Sequence, residues 1–157
     1  MAIRKIVPDT DEIMHKVCRP VSEINDRIKM LVQDMIETLE EAQGVGLAGP
    51  QVGMLKRIFV INPLDGSDYL VFINPEIIAR MGEQEGSEGC LSIPGHEFFV
   101  KRPQKVAVKA LDINGNEFVW EAEDLMAKAV CHEYDHLDGK TIRNTCEYEV
   151  FPEDEEE

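Results

Sequence analysis

The 157-residue sequence predicts an α+β fold: mostly antiparallel or mixed β-sheets packed around one central helix, with an amphipathic helix near the N-terminus. Three observations predict it. Residues 125–139, LMAKAVCHEYDHLDG, carry two apolar stripes at helical spacing, Leu125 and Ala129 running into His132 and His136, and Met126, Val130 and Leu137 beside them. A short helix with two apolar stripes is buried on more than one side. The strand-like runs are grouped before this helix without β-α-β alternation, and turn formers separate them.

Taken in order, residues 1–23 contain Pro8 and Pro20, with one or two helical turns expected over 11–18 and His15 exposed among charges. Ile24, Ile28, Leu31, Met35, Leu39 and Ala42 then recur every three or four residues, a helix whose stripe packs on a sheet. Asn25 suits its N-cap and Gly44 its stop. The glycine-rich run 44–53, GVGLAGPQVG, excludes a regular helix and allows close backbone approach; it has no G-K-[ST], so it is not a phosphate loop. Residues 57–61 and 69–73 read as an antiparallel strand pair across NPLDGSD, with Ile77 and Ile78 extending the second beyond Pro75. Residues 82–95 form a second glycine-rich stretch holding Cys90. Lys105–Leu111 and 118–120 make a hairpin across Asn114-Gly115. Gly139 ends the final helix.

This length suits one domain, residues 1–157, with an acidic and solvated tail from about 150. A formal charge of −15 argues against binding nucleic-acid phosphates, which needs clustered Lys and Arg. No apolar run approaches membrane-spanning length, and no apolar stretch follows the basic pair near the start, so a cytoplasmic location is expected. Cys18, Cys90, Cys131 and Cys146 form no C-x-x-C pair, so free thiols or a metal ligand are expected rather than disulfides.

The chemistry concentrates in His132-Glu133-Tyr134-Asp135-His136. Residues four apart share a helix face, so both imidazoles reach one metal ion, with Glu133 about 100° round and able to touch a water there. A third ligand decides the class. The third histidine of the H-E-x-x-H-x-x-G-x-x-H peptidases is absent, because position 142 is Ile142. Glu147 and Glu149 are available but lie in a poorly patterned acidic end. Cys90, between Gly89 and Leu91, is the better candidate; a Cys-His-His set leaves a coordination position open for catalysis. A closed structural site completed by His15 or His96 is the alternative.

Three ordered motifs carry a resemblance: Gly44-Val45-Gly46-Leu47-Ala48-Gly49-Pro50-Gln51, then Glu88-Gly89-Cys90-Leu91-Ser92, then the His132–His136 motif. Together they resemble the peptide deformylases, over nearly the whole chain and in the compact bacterial form. The resemblance implies removal of the formyl group from the N-terminal formylmethionine of nascent polypeptides. It implies one divalent metal on Cys90, His132 and His136, natively Fe²⁺, with Zn²⁺ or Ni²⁺ able to substitute. Glu133 would be the base, with the Gln51 amide and the Leu91 backbone N–H as oxyanion donors. Gly44, Gly46 and Gly89 would lie along an extended peptide, and Val45, Leu125 and Glu88 would line the methionine pocket. Two departures stand out. The family commonly has two alanines before the proline, and Gly49 in place of the second is expected to loosen the loop. No basic C-terminal element is present, so ribosome proximity would lack that docking device.

Overall fold

The computed structural model describes residues 2–151. Two helices and two antiparallel sheets build the frame. Helix α1, Asp26–Ala42, starts where the Asn25 side chain accepts the Ile28 N–H. It ends on Gln43, which takes the left-handed conformation (φ 55°) expected of Gly44, and Gln43 and Gly44 donate back to Glu40 and Leu39.

The larger sheet has the order β1-β2-β3-β6-β7, from β1 (Gly46–Ala48), β2 (Ile58–Ile61), β3 (Leu70–Met81), β6 (Lys105–Leu111) and β7 (Glu117–Glu123), every pair antiparallel. The β3 strand does continue past Pro75, with register shifts between Ile73 and Ala79 where Asn74 adopts φ 51°. All four β2 residues are buried because the strand is covered on both faces. Ile58 and Val60 face α1 through Leu31, Met35 and Leu39, while Phe59 and Ile61 face the second helix with Phe72, Val106 and Val108. Phe59 and Phe72 stack at 4.7 Å, centring that core.

The smaller sheet, β4 (Gln84–Cys90), β5 (Ile93–Arg102) and β8 (Tyr148–Val150), takes in most of the glycine-rich stretch 82–95 as strand. Its strand β4, QEGSEGC, holds only polar residues and glycine before Cys90, so it carries no hydrophobic period, and backbone pairing to β5 holds it extended. Helix α2, Leu125–Leu137, packs between the sheets; Asp138 caps it and Gly139 follows at φ 75°. A four-residue helix α3, Ile142–Thr145, leads to β8. That strand runs up to the start of the acidic tail expected from about 150. Glu147 donates to Phe99 O, Tyr148 stacks on Phe99 at 5.0 Å, and Glu149 pairs with His96 and Arg143. The remainder of the acidic tail, 152–157, lies outside the described residues.

Candidate active site

Helix α2 places His132 and His136 one turn apart on a buried face, ring centroids 4.9 Å apart. Cys90 ends β4, and a two-residue turn of Leu91 and Ser92 starts β5, which aims the sulfur at α2. Sγ lies 3.6 Å from His136 Nε2, and the ligand atoms of Cys90, His132 and His136 all lie within 4.8 Å of one another. The sequence-predicted triad therefore converges. A thiol and two imidazoles at this spacing suit a borderline-soft divalent cation. Ile142, which replaces a third histidine, is buried behind Cys90 with Ile93, Phe98 and Val100. Neither alternative ligand set joins the triad: His96 is exposed and bound to Glu149, and His15 binds Asp9 O at 2.7 Å.

Ion pairs behind the triad orient it. Glu88 Oε1 accepts from His132 Nδ1 at 3.2 Å, which turns Nε2 towards the site. Arg102, 7% exposed, grips both oxygens of Glu88 and also binds Asp135 Oδ2 at 2.8 Å. Glu88 is thus an orienting carboxylate as well as a cavity residue, and the hydrogen bonds of His132 and Arg102 overcome its burial and hold its pKa below the ordinary value. Arg102 and Asp135 escaped sequence reasoning. The signal was present: Phe98, Val100 and Arg102 share one phase of β5, and two buried apolar residues announce that the cation in phase is buried too.

Glu133 is 4% exposed, its Oε1 has no hydrogen-bond partner among the described residues, and burial raises its pKa to about 7. A carboxyl poised near neutrality both takes and returns a proton. Gly46 explains its position. A Cβ there would lie 2.7 Å from Glu133 Oε2 and 2.8 Å from Cγ, so the strand presses directly on the base. Burial opposes a charge on His132, yet Glu133, Cys90 and Glu88 raise its pKa well above the usual value. Burial and the charges of His132 and Arg102 push His136 well below it.

The Gln51 carboxamide is 1% exposed and fixed at both ends: Oε1 accepts the Ala48 N–H at 3.0 Å, and Nε2 donates to Ser92 Oγ at 3.1 Å and lies 3.8 Å from Cys90 Sγ. Gly49 overturns the expectation of a loosened loop. It is buried, and a Cβ would lie 2.7 Å from the carbonyl oxygens of both Met54 and Lys56, so the glycine lets the loop close more tightly. A cavity of about 710 Å³ opens beside the triad, and every sequence-predicted site residue except His136 lines it. Leu125 stands at its rim, 50% exposed, and not in the helix core as its stripe implied. Strands β1 and β4 are edge strands of their sheets, and both border the cavity.

The sequence profile of the family described as polypeptide deformylase matches residues 3–149. The chain belongs to that family. It is 60% identical over 139 residues to peptide deformylase 1 of Clostridium perfringens, covering 88% of this chain and 95% of that one. It is 46% identical to the peptide deformylase of Lachnoclostridium phytofermentans over the full length of both. The crystal structure of a peptide deformylase from Legionella pneumophila superposes with a TM-score of 0.89 at 41% identity, covering 96% of this chain and 87% of that one. Deformylases are enzymes that remove the N-formyl group from nascent peptides, and the α+β fold with antiparallel sheets is theirs. Among the described residues no helix is long and apolar enough to cross a membrane.

Proposed function

We propose that this chain acts as one catalytic domain, residues 1–157, on the N-terminal formylmethionine of nascent polypeptides in the cytoplasm, close to the ribosome. The convergence of Cys90, His132 and His136 beside a buried Glu133 carries the reading. These three side chains would hold the metal, and thiolate with imidazole suits Fe²⁺ natively, with Zn²⁺ or Ni²⁺ able to replace it. When bound, the metal supplies Lewis acidity to the formyl carbonyl and lowers the pKa of water.

The chain's own residues do the rest. An extended peptide lies between the free edges of β1 and β4, where backbone groups near Gly44, Gly46 and Gly89 face it and Val45 and Leu125 flank the methionine side chain. Glu133 takes the proton of the attacking water at a carboxylate oxygen and delivers it to the departing amine nitrogen. Gln51 Nε2 and the Leu91 N–H donate to the oxygen that gains charge. Ser92 and Ala48 keep the Gln51 amide from rotating, so its donors are set before reaction.

The test is hydrolysis of formyl-Met peptides after anaerobic purification, with metal analysis on the same sample. Formyl peptides should be cleaved and unformylated ones left intact; cleavage of internal peptide bonds instead would make this an endopeptidase. Glu133→Ala should keep its metal and lose about 10² to 10⁴ in rate.

A further inference from the structure

One cation lining the cavity has no partner among the described residues. Lys128 lies one turn before His132 on the same face of α2 and lines the cavity beside Ala129. Its ammonium lies over β4, where a Cβ on Gly86 would come within 2.8 Å of Nζ. A side chain at position 86 would displace it; glycine leaves the space to the ammonium. Arg4, Arg57, Arg102 and Arg143 each hold a carboxylate within 3.3 Å. Lys128 makes no ion pair or side-chain hydrogen bond with the described residues, and among the described lysines and arginines it is the one that lines this cavity. The cavity's own carboxylates do not neutralise it. Glu88 is committed to Arg102 and His132, Glu133 is wedged beneath Gly46, and exposed Glu97 makes no ion pair with it.

We propose that Lys128 is a specificity residue that binds a carboxylate of the peptide substrate, so that formyl-Met peptides with an acidic group close behind the methionine are preferred. The inference rests on the deformylase reading. A partly desolvated ammonium facing an open peptide cavity gains a charge-assisted hydrogen bond from a carboxylate and none from a neutral side chain. The carboxylate has two sources, an Asp or Glu side chain or the terminal carboxyl of a short peptide.

The experiment measures kcat/KM on the metal-loaded enzyme for formyl-Met tripeptides with Ala, Glu or Lys at the second and third positions, each as C-terminal acid and C-terminal amide. Glu should be favoured over Ala by about tenfold at one position, and Lys disfavoured. Amidation separates the sources: a Glu-over-Ala preference among the amides belongs to the side chain, and a lower rate for the Ala amide than for the Ala acid belongs to the terminal carboxyl. Lys128→Met should abolish the preference and Lys128→Glu should reverse it, with metal content and circular dichroism unchanged. Each comparison is a ratio within one enzyme sample, so partial metal loading cancels. Equal rates for acidic and neutral peptides in the unaltered enzyme, or a preference that survives in Lys128→Met, overturn the proposal. No cleavage of any formyl peptide would instead overturn the deformylase reading.

Discussion

Glu133 is confined from two sides, by the helix that carries it and by strand β1, where a Cβ on Gly46 would lie 2.7 Å from Oε2. Gly46→Ala should therefore push the carboxylate out of position and lower kcat by about 10² while leaving bound metal in place; kcat with metal analysis checks it, and an unchanged kcat would show that the base moves freely. Neighbouring histidines with pKa values displaced in opposite directions give a second expectation. His132 in the metal-free protein holds its proton above the ordinary imidazole value, so a metal ion must displace that proton near neutral pH. The sign is fixed: affinity rises with pH until the His132 pKa is passed, and falls by up to roughly tenfold per unit on acidification below it. Calorimetric titration in buffers of different ionisation enthalpy should register a proton from His132 in addition to the one the Cys90 thiol gives up, about two per metal; release of the thiol proton alone would remove His132 from the ligand set. At this scale H-E-x-x-H was readable in the chain because it is local. The Glu88–Arg102–Asp135 cluster was not, since its members are up to 47 positions apart in sequence and meet only across β4, β5 and α2.

Among the elements, α1, β6, β7 and α2 announced themselves because each buries an apolar face with a clear period, and β2 because it is a short unbroken apolar run between turn formers. The strand β4 did not, because its residues alternate exposed and half-buried polar positions up to Cys90 and its geometry comes from pairing with β5. Strand β8 was masked by its glutamates, although Tyr148 stacks on Phe99 and Glu149 binds both His96 and Arg143. The turn Gly49–Val52 inverts the sequence expectation, since its glycine packs tightly against carbonyl oxygens. Gly49→Ala should destabilise the protein by about 1–3 kcal/mol through overpacking against backbone. Urea unfolding measures it, and an unchanged midpoint would return the loop to the looser conformation.

For the whole molecule, the two sheets hold α2 between them and leave a cleft bordered by their free edges, β1 and β4. The C-terminal strand helps close that cleft. Val150 lines it, and Arg143 ties Glu149 to Asp9 near the other end of the chain, at 3.3 and 2.8 Å. A chain stopped after Cys146 should melt about 4–8 °C lower, the equivalent of about 2 kcal/mol, with a raised KM for formyl peptides. Thermal denaturation with steady-state kinetics checks both, and an unaltered KM would separate β8 from substrate binding. The sequence by itself determined the helix that presents the histidines, the α+β class and the likeness to a deformylase, because these rest on local spacing and on motif order. Only the tertiary structure decided how Glu133 is shut in, that Glu88, held by a buried arginine, orients His132, that Gly49 tightens its loop, and that Lys128 faces the cavity with no partner among the described residues. Each of these depends on the distance between segments remote in sequence, and the period of a single helix or strand holds no information about such distances.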